Sequence, residues 1–320
     1  MDSIDLNKLI AGEPRTLARA ITLVESQNPK HQRESKNLLK HIFNLKKSSF
    51  RISISGAPGA GKSTLIEALG LYLVSRGRKV AVLTIDPTSP ISGGSILGDK
   101  VRMEKLATSP HAFIRPSPTN LHVGGATNRT REAILLCEAA GFDIIIVETV
   151  GVGQTEFQVK NMVDAFVLAI SPLSGDSIQG MKKGILELAD LLAITKNDGE
   201  SESLAKTTLH DYRESLQFSH RSDQWTPPIM AVSSLNMTGI ADLWDSLQKY
   251  FSFKQSSGTL EKDRLDQQVI WAQDLFWESI HNRFKPKIEN STVQKKILKM
   301  LKSKMNPEQV AEVIFKSISN

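Results

Sequence analysis

The chain has 320 residues, 40% hydrophobic and 23% charged, an ordinary globular balance that excludes a disordered, collagen-like or coiled-coil protein and leaves room for one large α/β domain with extensions or for two domains. Net charge is +6, and residues 251 to 320 carry 12 basic against 8 acidic side chains; amphipathic helices with solvated lysines account for that excess, so no nucleic-acid partner is expected. One cysteine, Cys137, excludes an internal disulfide, and the longest apolar runs, Ile144 to Val147 and Val163 to Ile170, fall well short of the roughly 20 residues that span a bilayer, so no membrane partner is expected either.

In chain order, residues 1–48 read as an N-terminal helical segment. Leu17, Ala20, Ile21 and Val24 recur at helical spacing, Leu38, Leu39, Ile42 and Leu45 repeat the pattern, and Pro14 suits a first helical turn. Asp2 and Asp5 fit neither a secretory signal nor an acid-poor transit peptide, which makes the cytoplasm the expected location. From Phe50 the texture changes to short apolar runs alternating with helical stretches. The runs are Arg51 to Ser55, Val80 to Asp86, Ala112 to Arg115, Asp143 to Glu148, Ala165 to Ser171, Leu191 to Thr195 and Ile229 to Ser233. Seven such strands predict a mostly parallel sheet covered on both faces over residues 49–252. Lys254 to Gly258 reads as a linker, and residues 253–320 as a C-terminal helical extension broken at Pro286 and Pro307. In that extension Trp271 and Trp277 are either anchors of a dimer face or packing residues.

Directly after the first strand stands Gly56-Ala57-Pro58-Gly59-Ala60-Gly61-Lys62-Ser63-Thr64, a full match to the P-loop pattern, followed at once by the helical run Leu65 to Leu73. Its glycines let successive N–H groups point inward at phosphate oxygens, and the helix presents its positive end to the same anion. Lys62 is expected to reach the β/γ-phosphates of a nucleotide and the Ser63 hydroxyl to bind Mg2+. Asp86, at the end of the second strand in Asp-Pro-Thr-Ser-Pro, and Asp99 are either metal-site residues or turn formers. Glu148 closes a very apolar strand at the position that holds Mg2+ in P-loop proteins, and Gly151 is placed to offer its N–H to a γ-phosphate. Val152 follows it, so Gln154 is the nearest candidate to orient the attacking water, and slow turnover accelerated by a partner is expected.

A later strand ends in Thr195-Lys196-Asn197-Asp198, close to the Asn-Lys-x-Asp of GTPases. The Asp198 carboxylate can accept two N–H bonds from guanine that adenine cannot supply, which selects GTP/GDP. The Thr195 hydroxyl can still tie this loop to its neighbour. Ser233-Ser234-Leu235 ends the last strand, where a backbone N–H meets the guanine oxygen.

The segments GAPGAGKST, DPTSP, GDKVRM, ETVGVGQTE, SGDSIQGMKKGILELAD and TKND together resemble the MeaB/ArgK-type (MMAA-like) P-loop GTPases, chaperones of adenosylcobalamin-dependent methylmalonyl-CoA mutase. The resemblance covers nearly the whole chain and is most specific between Arg51 and Asp198. It implies a P-loop NTPase three-layer sandwich with helical extensions, GTP-gated loading of intact cofactor, protection or rescue of the mutase, and a homodimer built partly through the C-terminal extension. It further implies a mobile loop matching Gly175 to Lys183. In that family a Glu replaces the usual switch Asp, as Glu148 does here, and Thr-Lys-x-Asp also occurs. Two other classes stay open: a P-loop kinase or ATPase linked to amino-acid transport, and a nickel or cobalt metallochaperone GTPase, the latter needing soft or imidazole ligands that Cys137 and seven scattered histidines supply poorly.

Overall fold

The computed structural model describes residues 4–45, 49–86, 103–118, 125–149, 156–172, 183–216 and 225–319. Among these, seven strands form one sheet: β1 (Phe50–Ser55), β2 (Val80–Asp86), β3 (Ala112–Pro118), β4 (Ile144–Glu148), β5 (Ala165–Ile170), β6 (Leu191–Ile194) and β7 (Ile229–Ala231), in spatial order β3-β2-β4-β1-β5-β6-β7. They are the seven apolar runs of the sequence, with β3 extending to Pro118 and β7 closing at Ala231. Every pairing is parallel, so the sheet is wholly rather than mostly so. Crossovers carry α4 (Lys62–Ser75), α5 (Glu104–Ala107), α6 (Gly125–Ala139), α7 (Glu156–Lys160), α8 (Lys183–Leu188) and α9 (Glu202–Leu216).

Alternation along the strands fills two layers. Ile52 and Ile54 of β1 and Ile144 and Ile146 of β4 share a core with Leu65 and Leu69 of α4 and with Trp244 and Leu247 of α10 (Ile240–Ser256). Ile145 and Val147 turn to the other face, against Ile134 and Cys137 of α6. Outside α6 lie α1 (Leu6–Ile10), α2 (Pro14–Glu25) and α3 (Pro29–Ile42). Leu17, Ala20, Ile21 and Val24 are fully buried in this second core, and Pro14 is the first residue of α2. Each such Leu, Ile or Val contributes about 1.5–3 kcal/mol relative to exposure, so the N-terminal helices act as a third cover over that face. Burial pushes the Cys137 thiol up, with the neighbouring Glu138 charge adding to the shift.

Two expectations for the C-terminal region are corrected. Lys254 to Gly258 is not a linker, because α10 continues to Ser256 and only Ser257 and Gly258 separate it from α11 (Thr259–Glu289). The reason is Lys254 itself: its buried Nζ donates to the Asp164 carbonyl at 3.0 Å and pairs with Asp263 at 2.8 Å. Pro286 does not break the chain but lies inside α11, where the intrahelical bond it removes falls in an exposed last turn that solvent can satisfy. Pro307 does mark a boundary, opening α13 (Pro307–Ser319) after α12 (Ser291–Lys302).

Helix α11 has two dissimilar sides. Residues 264, 267, 271, 274 and 278 recur every three or four positions, and four of them make polar contacts to the body. Arg264 donates Nε and Nη2 to Asp164, both at 2.8 Å, and Nη2 also to the Ser49 carbonyl at 2.7 Å. Gln267 donates to the Val163 carbonyl at 2.8 Å, Asp274 accepts from Arg131 at 2.7 Å, and Glu278 accepts from Asn128 at 2.7 Å. Burial alone would lower the Arg264 pKa, but the hydrogen bonds and charge of Asp164, with Glu138, hold it raised. On the other side Leu265, Val269 and Phe276 stand 60%, 50% and 59% exposed. Of the two tryptophans, Trp271 lines a cleft with Phe43, Arg131 and Met162, while Trp277 is 65% exposed.

Candidate functional site

The site gathers at the carboxyl ends of β1, β4 and β6, the crevice where open parallel sheets bind ligands. Gly56 leaves β1 pressed against its neighbour: a Cβ there would stand 2.2 Å from the Ala169 carbonyl of β5. Ala57, Pro58, Gly59 and Ala60 form the turn, and the Ala60 N–H donates to the Ala57 carbonyl at 3.1 Å. Gly61 sits in the left-handed region with φ 80° as the residue before α4, a conformation that side chains rarely adopt. Lys62 therefore starts the helix, buried, with Nζ donating to the carbonyls of Gly56 at 2.7 Å and Ala57 at 3.0 Å. The ammonium is held across the mouth of the loop. Thr64 points away into solvent.

Behind the loop, Ser63 Oγ donates to Glu148 Oε1 at 2.7 Å. These two residues, 85 apart in sequence, meet because β4 pairs directly with β1, with Glu148 opposite Ile54. The next residue, Thr149, donates from Oγ1 to Ser55 Oγ at 2.7 Å, and both are buried. On the other side of the loop, Thr195 Oγ1 lies 2.7 Å from the Ala60 carbonyl and 3.0 Å from that of Ile170. The tie expected of this hydroxyl is thus made to the phosphate loop.

Lys196 takes a left-handed backbone with φ 55°, the kind of strain that concentrates at ligand sites. It turns the chain so that Asp198 faces Ser233, whose hydroxyl donates to the Asp198 carboxylate. The Ser233 N–H is committed to the Thr238 carbonyl at 2.9 Å. Of the three residues expected to offer an amide to a base, Ser234 and Leu235 are the ones left to do so. Asp86 ends β2, and its side chain lies outside the described residues, as do Asp99, Gly151, Gln154 and the loop from Gly175 to Lys182.

Sequence reading missed two features: the Thr149–Ser55 bond and the Ser233 contact to Asp198. A signal for the first was present, since Ser53 and Ser55 place two hydroxyls on one side of a central strand whose other side is the apolar Phe50, Ile52 and Ile54.

A glycine-rich strand–loop–helix that matches the P-loop pattern, flanked by a Ser–Glu pair and a Thr-Lys-x-Asp loop on the same edge of a parallel sheet, defines a P-loop GTPase. The comparisons narrow the class. The chain belongs to the family described as "Methylmalonyl Co-A mutase-associated GTPase MeaB", whose profile matches residues 17–289. It is 45% identical to the GTPase ArgK of Escherichia coli, covering 87% of this chain and 84% of that one. It is 40% identical to the mouse mitochondrial methylmalonic aciduria type A homolog, covering 98% and 78%. A solved structure titled LAO/AO transport system kinase superposes with a TM-score of 0.76 at 36% identity, covering 98% and 96%. No helix among the described residues is long and apolar enough to cross a membrane.

Proposed function

We propose that this GTPase is the nucleotide-gated accessory protein of an adenosylcobalamin-dependent methylmalonyl-CoA mutase, governing the loading of intact cofactor and protecting or reactivating the mutase from the cytoplasm. The observation that carries the reading is family membership, with the mutase in the family's own description and near-full-length similarity to the methylmalonic aciduria type A homolog.

In this reading the loop Gly56 to Thr64 holds the phosphates through backbone N–H groups, Pro58 having none to give, and Lys62 stabilises charge on the transferred group. The Ser63 hydroxyl donates its hydrogen bond to Glu148 and so keeps oxygen lone pairs for a cation, a hard-oxygen donor set that fits Mg2+. Asp86 and Asp99 complete the surroundings of that ion. Mg2+, when bound, neutralises charge between the β- and γ-phosphates. Gly151 offers its amide to the γ-phosphate, and Gln154 orients the attacking water. Asp198 accepts from the guanine ring, with Lys196, Ser233, Ser234 and Leu235 framing the base. Hydrolysis is slow until the partner is engaged.

The exposed row of Leu265, Val269 and Phe276, with Trp277 beside it, supports a homodimer formed through the C-terminal helices. The kinase reading suggested by the transport-system title lacks a reason for Asp198, which would face an acceptor on adenine. The metallochaperone reading needs a soft ligand, yet Cys137 is fully buried in α6.

The test mixes purified chain, apo-mutase and adenosylcobalamin with GTP, GDP or no nucleotide, and follows cofactor transfer by absorbance. Transfer that differs between GTP and GDP, together with faster GTP hydrolysis in the presence of mutase, is expected. Identical transfer in all three conditions would overturn the mutase role while leaving the GTPase class intact.

A further inference from the structure

Two consecutive residues at the end of β4 reach opposite flanks of the phosphate loop. Glu148 is bonded to Ser63, just behind it. Thr149 is bonded to Ser55, just ahead of it, through its side chain at 2.7 Å, and its N–H lies 3.3 Å from the Ile54 carbonyl. Thr149 is 1% exposed and Ser55 0%. A hydroxyl in such surroundings costs free energy unless it is bonded, and each of these two supplies the other's partner. Neither side chain belongs to the set that holds phosphate, metal or base. The bond pins the last described residue of this segment, which stands two positions before Gly151 in the sequence.

We infer that Thr149 is a positioning residue for GTP hydrolysis, its hydroxyl bond to Ser55 holding the root of the γ-phosphate sensor in register with the phosphate loop. The inference rests on the sensor role given to Gly151 above. GDP has no γ-phosphate, so the bond matters to GTP and not to GDP. One hydrogen bond of this kind is worth up to about 1.5 kcal/mol net, which sets the expected effect near tenfold.

The experiment uses the full chain and the variants Thr149→Val, Thr149→Ser, Ser55→Ala and the Thr149→Val/Ser55→Ala double. It measures kcat and KM for GTP, and affinities for GDP and for a non-hydrolysable GTP analogue. Thr149→Val and Ser55→Ala should each lower kcat/KM for GTP about tenfold, the loss divided between kcat and analogue affinity, while GDP affinity stays put. Thr149→Ser, which keeps the hydroxyl, should retain wild-type kcat/KM, and the double variant should be no worse than the weaker single because both remove one shared interaction. An unchanged kcat/KM in Thr149→Val, additive effects in the double, or GDP affinity falling in step with kcat/KM would overturn it. Gly151→Pro, which deletes the sensor's amide hydrogen, separates the two claims. Analogue affinity unmoved by Gly151→Pro sinks the sensor reading and with it the route by which Thr149 acts. Affinity lost there, with kcat/KM unmoved in Thr149→Val, sinks the positioning role alone.

Discussion

Replacing Thr195 with Val removes one hydroxyl and keeps the shape of the side chain, which makes it the cleanest probe of how the base loop and the phosphate loop are joined. The hydroxyl has a single proton and two carbonyls in reach, Ala60 at 2.7 Å and Ile170 at 3.0 Å. Ile170 keeps a donor in the variant, because the Thr195 N–H also bonds it, at 2.8 Å. Ala60 loses the side-chain donor that ties the two loops. Its residue is 1% exposed, so the lost bond costs about 1–3 kcal/mol in a fully formed loop. Part of that penalty is relieved when the loop without ligand relaxes, and the part that returns on binding is the part that appears in affinity. We therefore expect GDP and GTP to bind about 2- to 12-fold more weakly, corresponding to about 0.5–1.5 kcal/mol. Titration calorimetry with Mg2+ reads this directly, and guanine selectivity should persist because Asp198 is untouched. Affinities indistinguishable from wild type, with the fold intact by circular dichroism, would refute the idea that this hydroxyl couples the two loops.

Asp198→Asn exchanges an acceptor of two N–H groups for an amide that matches a carbonyl; guanine nucleotides should weaken on the order of 100-fold or more, xanthine nucleotides should gain relative to them, and unchanged guanine affinity would remove Asp198 from the base site. Arg264→Ala takes the guanidinium from Asp164, which is 1% exposed and keeps only the Arg51 N–H, at 2.8 Å, as a carboxylate donor among the described residues, and should cost about 2–4 kcal/mol in urea unfolding at constant slope, whereas a loss under about 1 kcal/mol would reduce the pair to a surface ornament. For Cys137 the thiol is raised in the fold and ordinary, near 9.0, in the unfolded chain. Its contribution to stability is complete below that ordinary value and declines as pH rises above it, and Cys137→Ala should flatten the alkaline loss. The native thiol should also resist alkylation at pH 8 and react once the chain is unfolded, and prompt reaction of the native protein would contradict its burial.

What could be read from the sequence was what is contiguous in it. Gly56 to Thr64 carry their geometry in nine adjacent residues, and strands buried on both faces announce themselves as apolar runs such as Ile144 to Val147. What could not be read depends on partners far along the chain. Lys254 stands in a polar run that reads as a linker, and the carbonyl that accepts from its buried Nζ, at residue 164, is 90 positions away. Arg264 and Asp164 are 100 apart, Thr149 and Ser55 are 94 apart, and parallel pairing of β1 with β4 is what brings the second pair together. Which N–H of Ser233-Ser234-Leu235 faces a base is not legible either, because the use of the Ser233 amide by Thr238 depends on a short antiparallel bridge that local propensity does not announce.

Helix α11 reverses the usual amphipathic rule: its hydrogen-bonding row clasps the body and its greasy row looks out. Folding is thereby written on one side of the rod, and the proposed homodimer contact would use the other. Replacing Phe276 or Leu265 by a polar residue should leave the monomer standing and change only what it sticks to, whereas swapping Asp274 or Arg264 for something oily would loosen the rod from its bed. A lineage can therefore redesign its contacts on one side without renegotiating how the chain folds.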